Sequence, residues 1–281
     1  MQPRPLSSGD RIALVAPARF TTSEAAAEAA EAIAAAGFEP VVPTGLFARD
    51  GQFGGPDAHR AEELNAAFRD PSIRAVWAMR GGYGCARLLP LLDGAALRAD
   101  PTWIVGFSDV SALHAWAGHQ GVASLHAAVA GTQARTADAE LLWSALRNPT
   151  PFTDGRCLGL PDERPVVGGN LSVLFSLLGT PWFPQVDGAW LLVEDLDEYL
   201  YHLDRMWNSF KLAGVLDRMH GLVVGAFSDL RDNTQAFGQT TDNPFGRDLE
   251  DMLREHVTAG KPIVRNVPVG HGRENRPVVL G

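Results

Sequence analysis

The first half of the chain alternates short apolar runs with helix-like segments, and this alternation limits the possible folds more than any other feature. The apolar runs of strand length are residues 11–18, 39–44, 73–79 and 102–107. The helix-like segments are residues 23–38 (with Ser23 as the expected N-cap), 59–70, 85–92 and 109–120. Strands and helices in this order are typical of a parallel sheet that helices cover on both faces. The sequence therefore predicts an N-terminal parallel-sheet α/β domain over residues 1–148.

A change of pattern after residue 148 indicates a second unit. Residues 149–166 are rich in proline and have no helical period, so they are predicted to form a linker. Beyond the linker, a long helical segment at 197–214 accompanies strand-like runs at 189–194, 221–227 and 261–270. We therefore predict a smaller C-terminal α/β domain, rich in strands, over residues 167–281. In its long helix, apolar residues recur at the spacing of a core-facing stripe: Tyr199, Leu203, Met206 and Phe210.

The composition excludes several functional classes. A formal net charge of -9 at pH 7 disfavours nucleic acid and anionic membranes as partners, because phosphate binding needs clustered Lys and Arg. No apolar run approaches the ~20 residues of a membrane span, and the N-terminus has no signal-peptide core. The two cysteines, Cys85 and Cys157, are too few for a disulfide framework or a zinc site. We therefore expect a soluble, cytoplasmic protein.

The segment WIVGFSDVSALHAW contains the sharpest chemical signal. An apolar strand turns at Gly106 into a helix, and Ser108 lies on that turn. A serine on such an elbow exposes its hydroxyl above the sheet, and the backbone N–H of Asp109 then points at an oxyanion formed there. The segment departs from G-x-S-x-G because residue 110 is Val. From this segment alone, helix capping by Ser108 or Asp109 is the stronger reading.

A nucleophilic serine needs a base and a group that orients the base. Glu194 ends the strand-like run at 189–194, and His271 lies between two glycines after the run at 261–270. Because ligands and catalytic groups gather at the carboxyl ends of parallel strands, these two residues are the predicted partners of Ser108. The neighbouring Asp195 and Asp197 are alternatives to Glu194, or acids at a helix start. His126 is the other histidine that could lie near the site.

The glycine loop in AVWAMRGGYGCARLL has three interpretations. A nucleotide phosphate loop fits poorly, because the dinucleotide fingerprint and the Gly-Lys-Ser/Thr signature are both missing. Cys85 as a nucleophile at its own elbow would leave the Ser108 elbow without a purpose. In the third reading, which fits better, backbone N–H groups of Gly81 or Gly82 are the second oxyanion donor and Arg80 meets a substrate carboxylate.

Taken together, these motifs resemble those of the LD-carboxypeptidase family of serine peptidases. The resemblance covers nearly the whole chain, including GDRIALVAPA, IVGFSDVSALH, GGNLSVLFSLLGTPW and VPVGHGRENRPVVLG. It implies two domains, the first carrying Ser108 and the second carrying Glu194 and His271. It also implies oxyanion donors at Gly82 and Asp109. The residues expected to contact the substrate are Arg80, Gly81 and Asn170.

The resemblance further implies a homodimer that uses no metal or other cofactor. The implied reaction removes the terminal D-alanine from the tetrapeptide of cell-wall muropeptides during peptidoglycan recycling. The sequence leaves open whether the preceding diamino acid is lysine or diaminopimelate. After His126 the chain has Ala127-Ala128 where Gly-Pro is expected, so the substrate-side wall there is expected to be reshaped. The alternatives are a microcin C-type peptidyl-nucleotide hydrolase and a non-enzymatic peptide-binding module.

Overall fold

The computed structural model describes residues 1–133, 139–150, 158–238 and 243–281. Its first sheet has six strands in the order β10-β5-β4-β3-β1-β2, and all neighbours are parallel except β10 and β5. The strands are β1 (Arg11–Val15), β2 (Glu39–Val41), β3 (Ile73–Ala78), β4 (Trp103–Gly106), β5 (Ser124–His126) and β10 (Val278–Leu280). The predicted parallel-sheet α/β fold is therefore confirmed.

Helices cover both faces of this sheet. They are α1 (Ser23–Ala35), α2 (Asp57–Arg69), α3 (Gly94–Ala99), α4 (Ser111–His119), α5 (Ala130–Gln133) and α6 (Ala139–Arg147). Every residue of β3 is buried. Its adjacent residues Val76 and Trp77 belong to two hydrophobic clusters that lie on opposite faces of the sheet. A strand that is buried on both faces has a continuous run of apolar residues. This is why the sequence of β3 does not alternate between apolar and polar residues.

Two local predictions in this half differ from the structure. The N-cap of α1 is Thr22, whose hydroxyl accepts the N–H of Ala25, and Ser23 is the first helical residue. The predicted helix at 85–92 is a 3₁₀ segment, Cys85–Leu91, with Pro90 inside it. Proline has no N–H to donate and its ring crowds the preceding turn, so a regular α-helix is disfavoured there.

The second sheet has four parallel strands in the order β6-β7-β8-β9. They are β6 (Val166–Asn170), β7 (Trp190–Leu196), β8 (Gly221–Ser228) and β9 (Ile263–Val264). The accompanying helices are α7 (Leu171–Leu177), α8 (Leu200–Leu212), α9 (Val215–Arg218) and α10 (Leu249–His256). The strand predicted at 261–270 is thus only two residues long, and the rest of that segment is a loop. In α8, Leu203, Met206 and Phe210 are buried as predicted, whereas Tyr199 is the half-buried N-cap.

The two sheets are connected by more than the chain between them. Strand β10, from the end of the C-terminal half, pairs with β5 of the first sheet, although the sequence assigned it to the second unit. Ser111 at the start of α4 accepts the backbone N–H of Asn170 at 2.9 Å. Part of the predicted linker, with Cys157, lies outside the described residues. No helix in the described part of the chain is long and apolar enough to cross a membrane.

Candidate active site

A cavity of about 460 Å³ lies at the carboxyl ends of β1, β3, β4 and β5. Loops after these strands form its walls, and a loop from the second half of the chain contributes His271. Of the residues predicted to form the site, Ser108, His271, Arg80, Gly81 and Gly82 all line this cavity. Parallel strands converge on one sheet edge, which explains how segments far apart in sequence meet here.

Ser108 lies on a strained turn. Strand β4 ends at Gly106, and the chain continues through Phe107 into the 3₁₀ segment Ser108–Val110 and then α4. Ser108 has a φ of 63°, a left-handed conformation that is uncommon for a residue other than glycine. Neither Ser108 nor Asp109 caps a helix. The N-cap positions of the 3₁₀ segment and of α4 are Phe107 and Val110, and no side chain forms a cap hydrogen bond at either position. The capping interpretation of this motif is therefore wrong.

Glu194 and His271 form a close pair. Glu194 is completely buried, and its Oε2 accepts a hydrogen bond from Nδ1 of His271 at 2.6 Å. The same oxygen accepts the backbone N–H of His271 at 3.2 Å, so one carboxylate oxygen holds both the ring and the main chain. This contact leaves Nε2 as the ring nitrogen free to act on a neighbouring group, the arrangement found where a carboxylate orients a catalytic imidazole.

The loop that carries His271 is tied down at several points. Asn275 accepts the N–H of Gly270 at 2.8 Å, and the Ser228 hydroxyl donates to the carbonyl of His271 at 3.0 Å. Gly270 has a φ of 98°, and a Cβ there would lie 2.5 Å from the Glu194 carboxylate, so only glycine fits. The ring of Phe107, next to Ser108, lies 4.6 Å from that of His271 between centroids, which brings the imidazole beside the elbow.

The neighbouring acids have other contacts. Asp195 is buried and accepts hydrogen bonds from Asn170 Nδ2, from the N–H of Ser172 and from its neighbour Leu196. Burial raises the pKa of Asp195 to about 6 despite these donors. Asp197 is exposed and pairs with Arg231. Among the described residues, only Glu194 of this acidic cluster contacts His271.

The glycine loop after β3 closely approaches the serine. A Cβ on Gly81 would lie 3.1 Å from Ser108 Oγ and 3.6 Å from the backbone nitrogen of Asp109. The space in front of Gly81 is therefore shared by the hydroxyl and a backbone N–H donor, as a site for a developing oxyanion requires. Gly82 has a φ of 111°. The side chain of Arg19 packs against Gly82 and occupies the space that a Cβ on Gly82 would need. Arg80 is exposed at the start of this loop.

Asp109 and Cys85 connect the glycine loop to the elbow. The Asp109 carboxylate, 3% exposed, accepts the N–H of Cys85 at 2.8 Å. Arg60, also buried, donates to the carbonyls of Gly84 and Pro17 and so ties the loops after β3 and β1 together. Burial raises the pKa of the Cys85 thiol well above its ordinary value, and the adjacent Asp109 carboxylate raises it further. A buried thiol that resists ionisation is a poor nucleophile, so the structure favours the serine reading of the two.

Asn170 was expected to contact the substrate, but the structure does not bring it to the cavity. Its side chain is buried, caps α7 by accepting the N–H of Val173, and donates to Asp195. His126 is fully buried behind Phe107, and burial lowers its pKa well below the ordinary value. The sequence analysis missed Arg19, Thr21 and Phe107, which line the cavity. A signal was available for Arg19 alone, a charged residue directly after the strand-like run at 11–18.

No metal-binding cluster of three or more His, Cys, Asp or Glu side chains is present in the described ranges. The ionisable side chains that line the cavity are those of Arg19, Arg80 and His271. The chemistry available there is that of a hydroxyl, an oriented imidazole, backbone N–H donors and two guanidinium groups.

Comparison with known proteins agrees with this arrangement. The LD-carboxypeptidase N-terminal domain model matches residues 12–127, and the C-terminal domain model matches residues 163–281. The murein tetrapeptide carboxypeptidase of Pseudomonas aeruginosa is 30% identical over 95% of this chain and 89% of its own. The crystal structure of muramoyltetrapeptide carboxypeptidase from Oxalobacter formigenes has a TM-score of 0.77 at 25% identity, covering 96% of this chain and 92% of that one.

The fold, the site and these relatives define a peptidase. The chain belongs to the LD-carboxypeptidase family, with both domains of the family present. A more distant relative is the microcin C7 self-immunity protein MccF of Escherichia coli, which is 25% identical over 79% of this chain and 76% of its own.

Proposed function

We propose that this protein is a serine carboxypeptidase that removes the terminal D-alanine from muropeptide tetrapeptides. The observation that carries the proposal is the Glu194–His271 pair, joined at 2.6 Å, in a cavity that also holds the strained Ser108. The names of the Pseudomonas and Oxalobacter relatives support the substrate class.

In the proposed mechanism, Ser108 Oγ attacks the carbonyl carbon before D-alanine while its proton passes to Nε2 of His271. Glu194 holds the imidazole in the required tautomer and stabilises the imidazolium. The C–N bond then breaks, His271 gives the proton to the leaving amine, and D-alanine departs. Water attacks the acyl-serine, gives one proton to His271 and releases the shortened peptide. Ser108 recovers its proton from the imidazolium.

The oxyanion is stabilised by the backbone N–H of Asp109 and by the glycine loop at Gly81 and Gly82. These groups surround the space beside Ser108 Oγ, and each such donor is worth about 10²–10³ in kcat. Arg80, at the start of that loop, binds the terminal carboxylate of the leaving D-alanine. A free carboxylate beside the scissile bond is the group that distinguishes a carboxypeptidase substrate, and a guanidinium recognises it in a bidentate manner.

The MccF relative supports a second candidate, hydrolysis of a microcin C-type peptidyl nucleotide. A nucleotide base needs an aromatic surface on which to stack. The aromatic ring among the described residues of the cavity wall is Phe107, which packs on His271. The muropeptide is therefore the better-supported substrate.

The test is incubation with a muramoyl tetrapeptide, with D-alanine release followed by mass spectrometry. We expect release by the native protein and a fall of about a thousandfold or more in Ser108→Ala, because the nucleophile is lost while the fold is kept. Cys85→Ser is the matched control and should retain most activity. If Ser108→Ala keeps its activity and Cys85→Ser loses its activity, the nucleophile is Cys85 and not Ser108. No D-alanine from any tetrapeptide would refute the proposed function.

A further inference from the structure

One peptide group of the glycine loop lies between two buried side chains of opposite charge. The carbonyl of Gly84 accepts a hydrogen bond from Arg60 Nη1 at 3.1 Å, and the N–H of Cys85 donates to Asp109 Oδ2 at 2.8 Å. This carbonyl and this N–H belong to the same planar peptide bond. The guanidinium therefore faces the negative end of the peptide dipole, and the carboxylate faces the positive end. We call Arg60, the Gly84–Cys85 peptide and Asp109 the peptide clamp.

Arg60 connects the glycine loop to two other loops at the same edge of the first sheet. Its completely buried side chain donates to the carbonyls of Pro17, after β1, and Gly55, before α2. It also donates to Gly84 and pairs with Asp57 at the start of α2. A guanidinium offers five N–H donors in a fixed planar fork, whereas the ammonium group of lysine sits on a flexible stem. Arg60 therefore fixes the glycine loop relative to the neighbouring loops.

Asp109 is connected to both parts of the proposed oxyanion site. Its backbone N–H is one proposed donor, and its carboxylate holds the loop that carries the other donors, at Gly81 and Gly82. Burial raises the pKa of Asp109, and hydrogen bonds from Cys85 and the charge of Arg60 oppose that rise. Asp109 does not belong to the described part of the cavity wall. Its carboxylate can therefore influence a reaction in the cavity only through the main chain that it holds.

We propose that Arg60 and the Asp109 side chain are positioning residues for the reaction. Through the peptide clamp they hold the glycine loop where its backbone N–H groups can reach an oxyanion formed at Ser108. This role rests on the proposed function, because it requires a reaction at Ser108. A displacement of about 1 Å in such a site can cost about 10²-fold in rate. A weakened peptide clamp should therefore slow the chemical step and leave substrate binding nearly unchanged.

Arg60→Lys and Asp109→Asn test the peptide clamp, because each keeps a polar side chain and weakens one end of it. In each variant we expect kcat for D-alanine release to fall by about ten- to hundredfold, with KM within about threefold of the native value. Arg74→Lys is the matched control. Arg74 is also a buried arginine, bonded to Asp100 and to the carbonyl of Pro71, but it lies at the amino end of β3. The control should lower Tm as Arg60→Lys does, but keep kcat within about twofold.

A fluorophosphonate probe measures the same positioning without a peptide substrate. Ser108 Oγ bonds to phosphorus, the P–F bond breaks, fluoride leaves, and the hydroxyl proton passes to His271, while the phosphonyl oxygen occupies the oxyanion site. The labelling rate should fall with kcat in Arg60→Lys and Asp109→Asn and stay at the native value in Arg74→Lys. Equal losses in Arg74→Lys and Arg60→Lys, or native rates in Asp109→Asn, would overturn the positioning role. Slower labelling in both clamp variants, without any D-alanine release by the native protein, would refute the proposed hydrolysis and keep the positioning role.

Discussion

Glu194 makes a contact that its acidic neighbours in sequence do not make. Three acids lie within four positions, but their environments differ completely. Glu194 contacts His271, Asp195 accepts hydrogen bonds inside the second domain, and Asp197 pairs with Arg231 on the surface. Because successive residues of a strand point to opposite faces, Glu194 and Asp195 cannot both face the histidine loop.

This difference predicts distinct effects of two conservative substitutions. Glu194→Gln keeps the size but loses the charge that holds the His271 tautomer, so kcat should fall by about a thousandfold or more with little change in KM. Asp195→Asn should keep kcat within about tenfold but lower the free energy of unfolding by about 1–3 kcal/mol. Both oxygens of Asp195 accept N–H donors, so the NH2 group that replaces one of them would face a donor. Steady-state kinetics and urea unfolding of both variants measure these effects. If Asp195→Asn is inactive while Glu194→Gln is active, the acid that orients His271 is Asp195 and not Glu194.

At the scale of elements, the glycine loop after β3 and the turn that carries Ser108 form one connected unit. The loop follows β3 and the turn follows β4, and the Asp109 carboxylate joins them through the N–H of Cys85. Arg60 attaches the same loop to the carbonyl of Pro17 after β1. The proposed oxyanion donors are thus positioned by contacts between elements rather than by either loop alone.

The close approach of these two loops predicts the effect of adding one methyl group. In Gly81→Ala the new Cβ would lie 3.0 Å from Ser108 Cβ and 3.1 Å from Oγ, in the space proposed for the oxyanion. We expect kcat to fall by about 10²-fold or more, as for loss of an oxyanion donor, while Tm changes little. Gly81 does not have a positive φ, so alanine adds no backbone strain there.

Gly118→Ala is the control for this substitution, since a Cβ at Gly118 meets nothing within 4 Å. It lies in α4 and should be neutral or slightly stabilising, with unchanged activity. Native kcat in Gly81→Ala, measured on the tetrapeptide, would place the oxyanion elsewhere.

At the scale of the whole molecule, the boundary between the two sheets holds buried polar groups. His114 is 3% exposed and bridges the Ser124 hydroxyl, at 2.9 Å, and the Gly106 carbonyl, at 2.9 Å. It also borders a smaller cavity of about 290 Å³ together with Val167, Gly168 and Leu280. Burial lowers the pKa of His114 to about 4.

This depressed pKa predicts how stability depends on pH. The folded protein keeps His114 neutral, so its contribution is fully present above pH 6.5 and is lost as the pH falls through 4. A shift of this size corresponds to about 3 kcal/mol. His114→Gln should be destabilising at pH 7, because it disturbs the hydrogen bonds to Ser124 and Gly106. The difference in the free energy of unfolding between this variant and the native protein should shrink by about 3 kcal/mol at pH 4. Urea unfolding at pH 7, 5.5 and 4 measures the gap.

His119→Gln provides the comparison, because His119 is in the same helix but only half-buried. A difference in the free energy of unfolding between His114→Gln and the native protein that stays constant with pH would contradict the assignment of a buried neutral histidine.

The homodimer expected from the family resemblance also stays a prediction at this scale, and sedimentation equilibrium can test it.

Much of this organisation follows from local sequence patterns. Apolar runs such as the one in β3 determine a buried parallel sheet, because only strands covered on both faces lack polar alternation. The turn after β4 indicated Ser108 as a candidate, and the ends of strand-like runs indicated Glu194 and His271, which the structure brings into contact with each other. These signals are short-range consequences of burial, chain reversal and glycine conformation, so the sequence alone carries them.

Other features depended on contacts between distant segments, which no local pattern encodes. The pairing of β10 with β5, the role of Asn170 as the cap of α7, and the position of Arg19 on Gly82 are of this kind. In the same way, Asp195 and Glu194 are equivalent in sequence, and only the packing of the histidine loop distinguishes them. Tertiary structure decides such questions because a side chain's partners, burial and pKa are set by whichever segments the folded chain brings within a few ångströms of it.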